Sequence, residues 1–163
     1  MKVKISLNEK SVGGSIDELK KYKRWVEKKA KELTKKLAEI GMAEAKVLFS
    51  GAMYDGDNDV SVSIEQSAKG YTIIANGKAV AFIEFGAGVY YNTPDPYPVA
   101  RPEGIVGIGE YGKGMGSRQV WGYYEGGELR LTRGNPAAMP LWYSLKEMER
   151  EVTRVAKEVF ARD

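Results

Sequence analysis

Residues 2 to 7 alternate, with Val3, Ile5 and Leu7 on one side of an extended segment and Lys2, Lys4 and Ser6 on the other. This is the period-2 pattern of a strand, and a short, lysine-bearing strand suits a sheet edge. After Gly13-Gly14 the period changes. Ser15 followed three positions later by Glu18 is a capping-box signature, and Leu19, Tyr22, Val26, Ala30, Leu33, Leu37 and Ile40 then recur at steps of 3 or 4. The spacing predicts a long one-faced helix from Ser15 toward Leu48, with Gly41 a point where it bends or ends early. At about 33 residues and 1.5 Å each, it spans roughly 50 Å. That exceeds the width of a small core, so part of the stripe is expected to meet a neighbouring subunit.

Beyond the acidic loop Asp55-Gly56-Asp57-Asn58-Asp59, Val60, Val62 and Ile64 alternate with Ser61, Ser63 and Glu65. Tyr71 to Ala75 alternates too, and Asn76-Gly77 is a strong two-residue turn before Ala79 to Phe85, which together predict a three-stranded antiparallel meander. Residues 86 to 118 are rich in Gly, Pro and Tyr and carry no period. They form a long Gly-rich excursion, expected to be flexible, of a length usually reserved for function or disorder. Gln119 to Tyr124 and Glu128 to Thr132, joined by Glu125-Gly126-Gly127, predict a second hairpin. Leu141, Leu145, Met148, Val152, Val155 and Val159 then repeat at 4 and 3 behind Pro140, predicting a C-terminal helix with Pro in its first turn. The expected fold is α+β: one domain, residues 1 to 163, whose antiparallel β-sheet packs with a long N-terminal helix and a C-terminal helix, the Gly-rich loop between them.

Composition changes the picture mainly by what it removes. The 163 residues include no cysteine and no histidine, which excludes disulfides, thiolate and imidazole metal sites, Cys nucleophiles and a Ser-His-Asp triad. The N-terminus lacks the apolar stretch of a secretory signal, so no export by that route is expected. The most apolar region, Ala79 to Tyr91, is interrupted by Glu84, Gly86 and Gly88 and falls far short of the ~20 residues that span a bilayer. No membrane contact is expected.

Charge is uneven. Residues 20 to 36 hold nine basic side chains against Glu27 and Glu32, a local net of +7 in a chain whose total is +3. Such a face is a footprint for DNA backbone contact, with Lys28, Lys29, Lys35 and Lys36 as candidate DNA-facing residues. No base-reading motif accompanies it, and the plainer reading is a solvated helix face.

Other local matches are weaker. Gly107-Ile108-Gly109-Glu110-Tyr111-Gly112-Lys113-Gly114 follows phosphate-loop spacing, but Gly114 stands where Ser or Thr holds magnesium and no helix follows, so a plain loop is the better reading. Asp55, Asp57 and Asp59 begin like an EF-hand loop yet lack its glycine and its final Glu, and read as a solvated turn. Glu84, between Ile83 and Phe85, is the carboxylate expected to be partly buried, and a hydrogen-bonded structural role is favoured over acid/base work. No cofactor is called for.

Two stretches together carry a resemblance. Ala79-Val80-Ala81-Phe82-Ile83-Glu84-Phe85-Gly86 resembles the alanine, apolar, Glu-Phe-Gly signature of the minor tail and head–tail joining proteins of long-tailed bacteriophages and prophages, relatives of lambda minor tail protein Z. Trp121-Gly122-Tyr123-Tyr124, then Arg130 to Thr132, then Gly134-Asn135-Pro136-Ala137-Ala138-Met139-Pro140-Leu141 resembles that family's aromatic hairpin, Gly-x-Pro-Ala run and Pro before the last helix. Ala87 and Leu141 depart from the Thr and Phe common there, and the stretch from Ser50 to Gly56 replaces the family's Pro-x-Asp-Thr-Gly run. The resemblance implies a structural virion protein, assembled in the host cytoplasm and carried in the tail or neck. Its copies would form a ring at the head–tail junction or tail end, touching tail-tube or connector proteins and, non-specifically, passing DNA. It carries over no catalytic residue. Glu84, Phe85, Gly86, Tyr90, Tyr91, Trp121 and Tyr123 are the candidate subunit-interface residues.

Overall fold

A computed structural model describes residues 9–52, 58–86 and 120–161. The described chain is α+β: a long N-terminal helix α1 (Glu9–Ser50), strands β1 (Ser61–Ser67) and β2 (Gly70–Asn76), a short helix α2 (Val80–Phe85), strands β3 (Trp121–Glu125) and β4 (Glu128–Thr132), and a C-terminal helix α3 (Pro140–Phe160). The strand expected at residues 2 to 7 lies outside the described residues.

Helix α1 has 42 residues, or about 63 Å at 1.5 Å per residue. It begins before Ser15, which sits buried inside the helix, so the Ser15–Glu18 pair does not mark its start. The reason lies in the stripe itself, because Val12 and Ile16 extend the 3-and-4 spacing back through Gly13-Gly14, and a propagating helix adds turns more readily than it starts them. Gly41 does not end α1, which runs on to Ser50. A Cβ there would lie 2.5 Å from Met148 Sδ and 2.7 Å from Ile73 Cδ1, so the glycine is where α3 and β2 both approach the helix closely.

The antiparallel pair β1 and β2 turns through Ala68-Lys69 and sets Val62 opposite Ala75 and Ile64 opposite Ile73. That face closes on α1. Ala45, Phe49, Val62, Ala79 and Ile83 form the buried cluster, with Met42, Val60, Ile73, Ala75 and Leu141 packed around it. Each large apolar side chain buried this way contributes about 1.5–3 kcal/mol.

Val80–Phe85 form a helix where a third strand, Ala79 to Phe85, was expected. After β2 the chain turns at Gly77, whose φ is +151° and whose Cβ would meet Asp59 Oδ1 at 2.8 Å. The Asp59 carboxylate then accepts hydrogen bonds from the backbone N–H groups of Lys78 (2.7 Å) and Ala79 (3.1 Å), satisfying donors that a starting helix leaves open. Ala79 and Ile83, four apart, are both buried; one helical face covers the cluster where an alternating strand would turn half its apolar run outward. The second hairpin and the C-terminal helix follow the expected plan. Gly126 and Gly127 have φ of +59° and +87°, the two positive values a type I′ turn requires, and Pro140 opens α3.

Helix α3 runs antiparallel to α1, with Met148 beside Gly41, Glu158 bonded to Lys36 and Phe160 edge-on to Trp25. Its 21 residues span about 31 Å and end opposite Trp25. Helix α1 continues past that point for about 16 residues, or roughly 24 Å, and exposes Val12, Ile16, Leu19 and Tyr22 along the way.

Candidate functional site

The two stretches that carry the family resemblance meet in space. The Glu84 side chain, 1% exposed, reaches from α2 to the first turn of α3, where Oε2 accepts from the N–H of Leu141 at 2.8 Å and Oε1 from that of Trp142 at 3.1 Å. Pro140 has no N–H, Met139 supplies no side-chain cap, and the N–H of Tyr143 donates to Met139 O at 3.0 Å. Glu84 therefore does from a neighbouring helix what a capping residue does locally. A negative charge at a helix N-terminus is also favoured by the helix dipole.

The rest of the junction is backbone. The Ala138 N–H donates to Ile83 O (2.9 Å), and the Asn135 side-chain amide to Phe82 O (3.4 Å). Gly86 ends α2 with φ 76° and ψ 170°, a region open essentially to Gly alone. A Cβ there would lie 2.7 Å from Ala137 N and 2.8 Å from Asn135 O. The Glu-Phe-Gly run and the Asn135-Pro136-Ala137-Ala138 run thus form one clasp, and beside it Val47, Leu48, Gly51, Ala52, Asn135, Pro136 and Ala138 line a cavity of about 390 Å³.

For the candidate interface residues this has a direct consequence. Glu84, Phe85 and Gly86 lie inside the protomer, behind the surface a second copy would touch, and Glu84 and Gly86 pack the end of α2 against the start of α3. Tyr90 and Tyr91 lie outside the described residues. Trp121 and Tyr123 belong to β3, opposite Thr132 and Arg130.

The other face of that hairpin holds residues that motif reasoning did not name. Tyr124 pairs with Leu129 and Gly122 with Leu131, so Tyr124, Leu129 and Leu131 share one side, at 77%, 57% and 71% exposure. A Cβ on Gly122 would touch Leu129 Cδ1 at 2.8 Å, so both leucines lie over that glycine. The signal was present in the alternation of Leu129 and Leu131, once the Gly126-Gly127 turn set the register.

The four candidate lysines divide. Lys28 and Lys35 are exposed, Lys35 forming a loose pair with Glu39 at 3.7 Å. Lys29 pairs with Glu32 at 3.4 Å and Lys36 with Glu158 of α3 at 2.5 Å. The Lys36–Glu158 hydrogen bond holds the lysine pKa above, and the glutamate pKa below, their ordinary values. A step of one residue places Lys29 and Lys36 roughly 100° around the helix from Lys28 and Lys35. The four therefore lie on two sides of α1, Lys28 and Lys35 on one and Lys29 and Lys36 on the other, with Lys36 engaged by Glu158 of α3.

Of the acidic triplet, Asp59 is committed to the α2 N-terminus, and those backbone hydrogen bonds, Lys78 first, hold its carboxyl below the usual aspartate range. Asp55 and Asp57, like the loop from Gly107 to Gly114, lie outside the described residues. Asn58 was not singled out beforehand. Its side-chain amide donates to Phe49 O (2.6 Å) and Ala52 O (2.8 Å), closing the end of α1. Among the described residues no cluster of three or more Asp or Glu side chains is placed to hold a metal ion, and no helix is long and apolar enough to cross a membrane. Compared with known protein families, with curated proteins and with solved structures, the chain has no match.

Proposed function

We propose that the protein is a structural virion component of a phage or prophage, assembling with copies of itself at the head–tail junction or tail end and contacting neighbouring tail or connector proteins. The work is done by mating surfaces, and the reading assigns no catalytic residue. One observation carries it: the β3–β4 hairpin exposes Tyr124, Leu129 and Leu131 on a single face while making no extensive contact with another described element. A lone two-stranded hairpin is marginal in water, and a contiguous apolar face marks a surface made to be covered. The overhanging end of α1, with Val12, Ile16, Leu19 and Tyr22, offers a second such surface distinct from the first. Two different faces on one chain suit the head-to-tail contact from which rings close.

Light scattering across a concentration series, with electron microscopy of the peak fraction, tests this. Closed rings or defined oligomers are expected. Leu129→Glu and Leu131→Glu should release subunits without altering helical content, since exposed substitutions typically shift stability by within about 0.5 kcal/mol. A strictly monomeric chain at about millimolar concentration, alone and with tail tubes, refutes the reading.

A further inference from the structure

Helix α1 carries a row of five exposed cations, four of which have no carboxylate partner among the described residues. Lys21, Arg24, Lys28, Lys31 and Lys35 follow one another at steps of 3, 4, 3 and 4, and all five are exposed. At 100° per residue they occupy an arc of about 80°, and from first to last they cover roughly 21 Å of helix. The remaining cations of this stretch have carboxylate partners: Lys20 with Asp17 (4.0 Å), Lys23 with Glu27 (3.8 Å), Lys29 with Glu32 and Lys36 with Glu158. Within the row Lys35 alone has one among the described residues, Glu39 at 3.7 Å.

The carboxylates within helical reach of Arg24, Lys28 and Lys31 are Glu27 and Glu32, and these pair with Lys23 and Lys29 instead, so that along the row each of the three has only another cation for a neighbour. Like charges three or four apart oppose helix formation by about 0.2–0.5 kcal/mol per pair, and four such pairs stand in line. Helix α3 shows the opposite arrangement, with Lys146–Glu149, Arg150–Glu147 and Arg154–Glu151 pairs along its surface. A self-repelling row is relieved by a linear polyanion lying against it.

We propose that this row binds the phosphate backbone of duplex DNA without reading its sequence. Phosphates on duplex DNA supply about one charge per 1.7 Å of axis, so a 21 Å row has enough of them within reach for all five side chains. No Asn or Gln stands among the five to read a base edge. An anionic membrane is the poorer fit. A basic helix that lies in a bilayer buries its opposite, apolar face in lipid, and behind this row α1 is already occupied by α3 through Trp25–Phe160 and Lys36–Glu158. The inference stands independently of subunit assembly.

Fluorescence anisotropy of the full chain with two unrelated duplexes of about 30 base pairs, from about 50 to about 200 mM salt, tests it. Expected are equal affinities for the two sequences and a plot of log K against log[salt] sloping between about −3 and −4.5, that is about −0.9 per phosphate. Lys28→Gln with Lys31→Gln should lower the slope by about 1.8 and weaken binding by roughly tenfold or more. Lys69→Gln with Lys146→Gln removes the same charge elsewhere and should change affinity by less than about threefold. Circular dichroism checks that both doubles keep their helices. The proposal is overturned by absence of binding at the lowest salt, by equal losses in the two doubles, or by tighter binding to phosphatidylserine vesicles than to DNA.

Discussion

Replacing Glu84 tests whether one buried side chain holds the clasp together. With Pro140 at the first position of α3, Tyr143 N–H makes the first intrahelical bond to Met139 O, and the open donors just before it, Leu141 and Trp142, are both taken by Glu84. In Glu84→Gln one amide oxygen can accept one of the two N–H groups, while the amide nitrogen faces the other, donor against donor. A buried unsatisfied N–H costs about 1–3 kcal/mol, and losing the charge at the helix end adds about 1. The sum is about 2–4 kcal/mol, a large fraction of a typical 5–15 kcal/mol, yet small enough for the variant to stay folded. Glu84→Leu keeps the volume and orphans both donors, so it should be at least as damaging. Urea unfolding gives the free energy, and hydrogen exchange at the Leu141 and Trp142 amides localises it; at 1.4 kcal/mol per decade those amides should exchange about 30- to 1,000-fold faster. Glu84→Gln within about 0.5 kcal/mol of the parent, both amides still protected, would refute the capping role, and so would a Leu variant more stable than the Gln one.

Three further outcomes are expected. Gly86→Ala forces a side chain into a Gly-only backbone region and against backbone atoms of Asn135 and Ala137, so it should destabilise by about 3 kcal/mol or more, measured by thermal and urea unfolding. Gly41→Ala gains up to about 1 kcal/mol of helix propensity but pushes flexible ends of Met148 and Ile73 aside; the two effects should nearly cancel, whereas Gly41→Leu overpacks and should cost about 2 kcal/mol or more. Asp59 has its folded pKa depressed by hydrogen bonds from Lys78 and Ala79. Its contribution is therefore full above the ordinary aspartate value of about 3.9 and is lost as pH falls below it. Asp59→Asn should lower the melting temperature at neutral pH and flatten its decline on the acid side of pH ~4.

What the sequence reveals depends on whether an element is decided locally. The Gly126-Gly127 turn and the helix behind Pro140 rest on backbone rules that act over a few residues, and both stand where the pattern placed them. The run from Ala79 to Phe85 was decided from a distance. An apolar stretch bounded by Asn76-Gly77 reads equally as strand or buried helix, and the arbiter is Asp59, some twenty positions upstream, whose carboxylate serves the N–H groups of Lys78 and Ala79. Gly41 misled for a related reason. In a linear reading a glycine weakens a helix, and only the approach of Met148 and Ile73 shows it as a packing position. Glu84 was legible as a buried structural carboxylate, but its partners at Leu141 and Trp142 lie more than fifty residues away.

The same helical period accounts for how α1 divides its labour. Between residues 25 and 49 folding engages α1 at azimuths that shift along its length: Trp25 and Lys36 engage α3, Gly41 admits Met148, and further on Ala45 and Phe49 enter the core beneath β1 and β2. A side turned away from α3 carries Lys21, Arg24, Lys28, Lys31 and Lys35. Neutralising that row would relieve like-charge repulsion, so its presence is not explained by stability of the fold. A substitution on the α3 side should therefore register first as unfolding, and one in the row first as weaker polyanion binding with the unfolding curve unmoved. Lys36→Gln and Lys28→Gln remove the same charge eight residues apart on one helix. If they proved interchangeable in both assays, the assignment of separate roles to the two sides would fail.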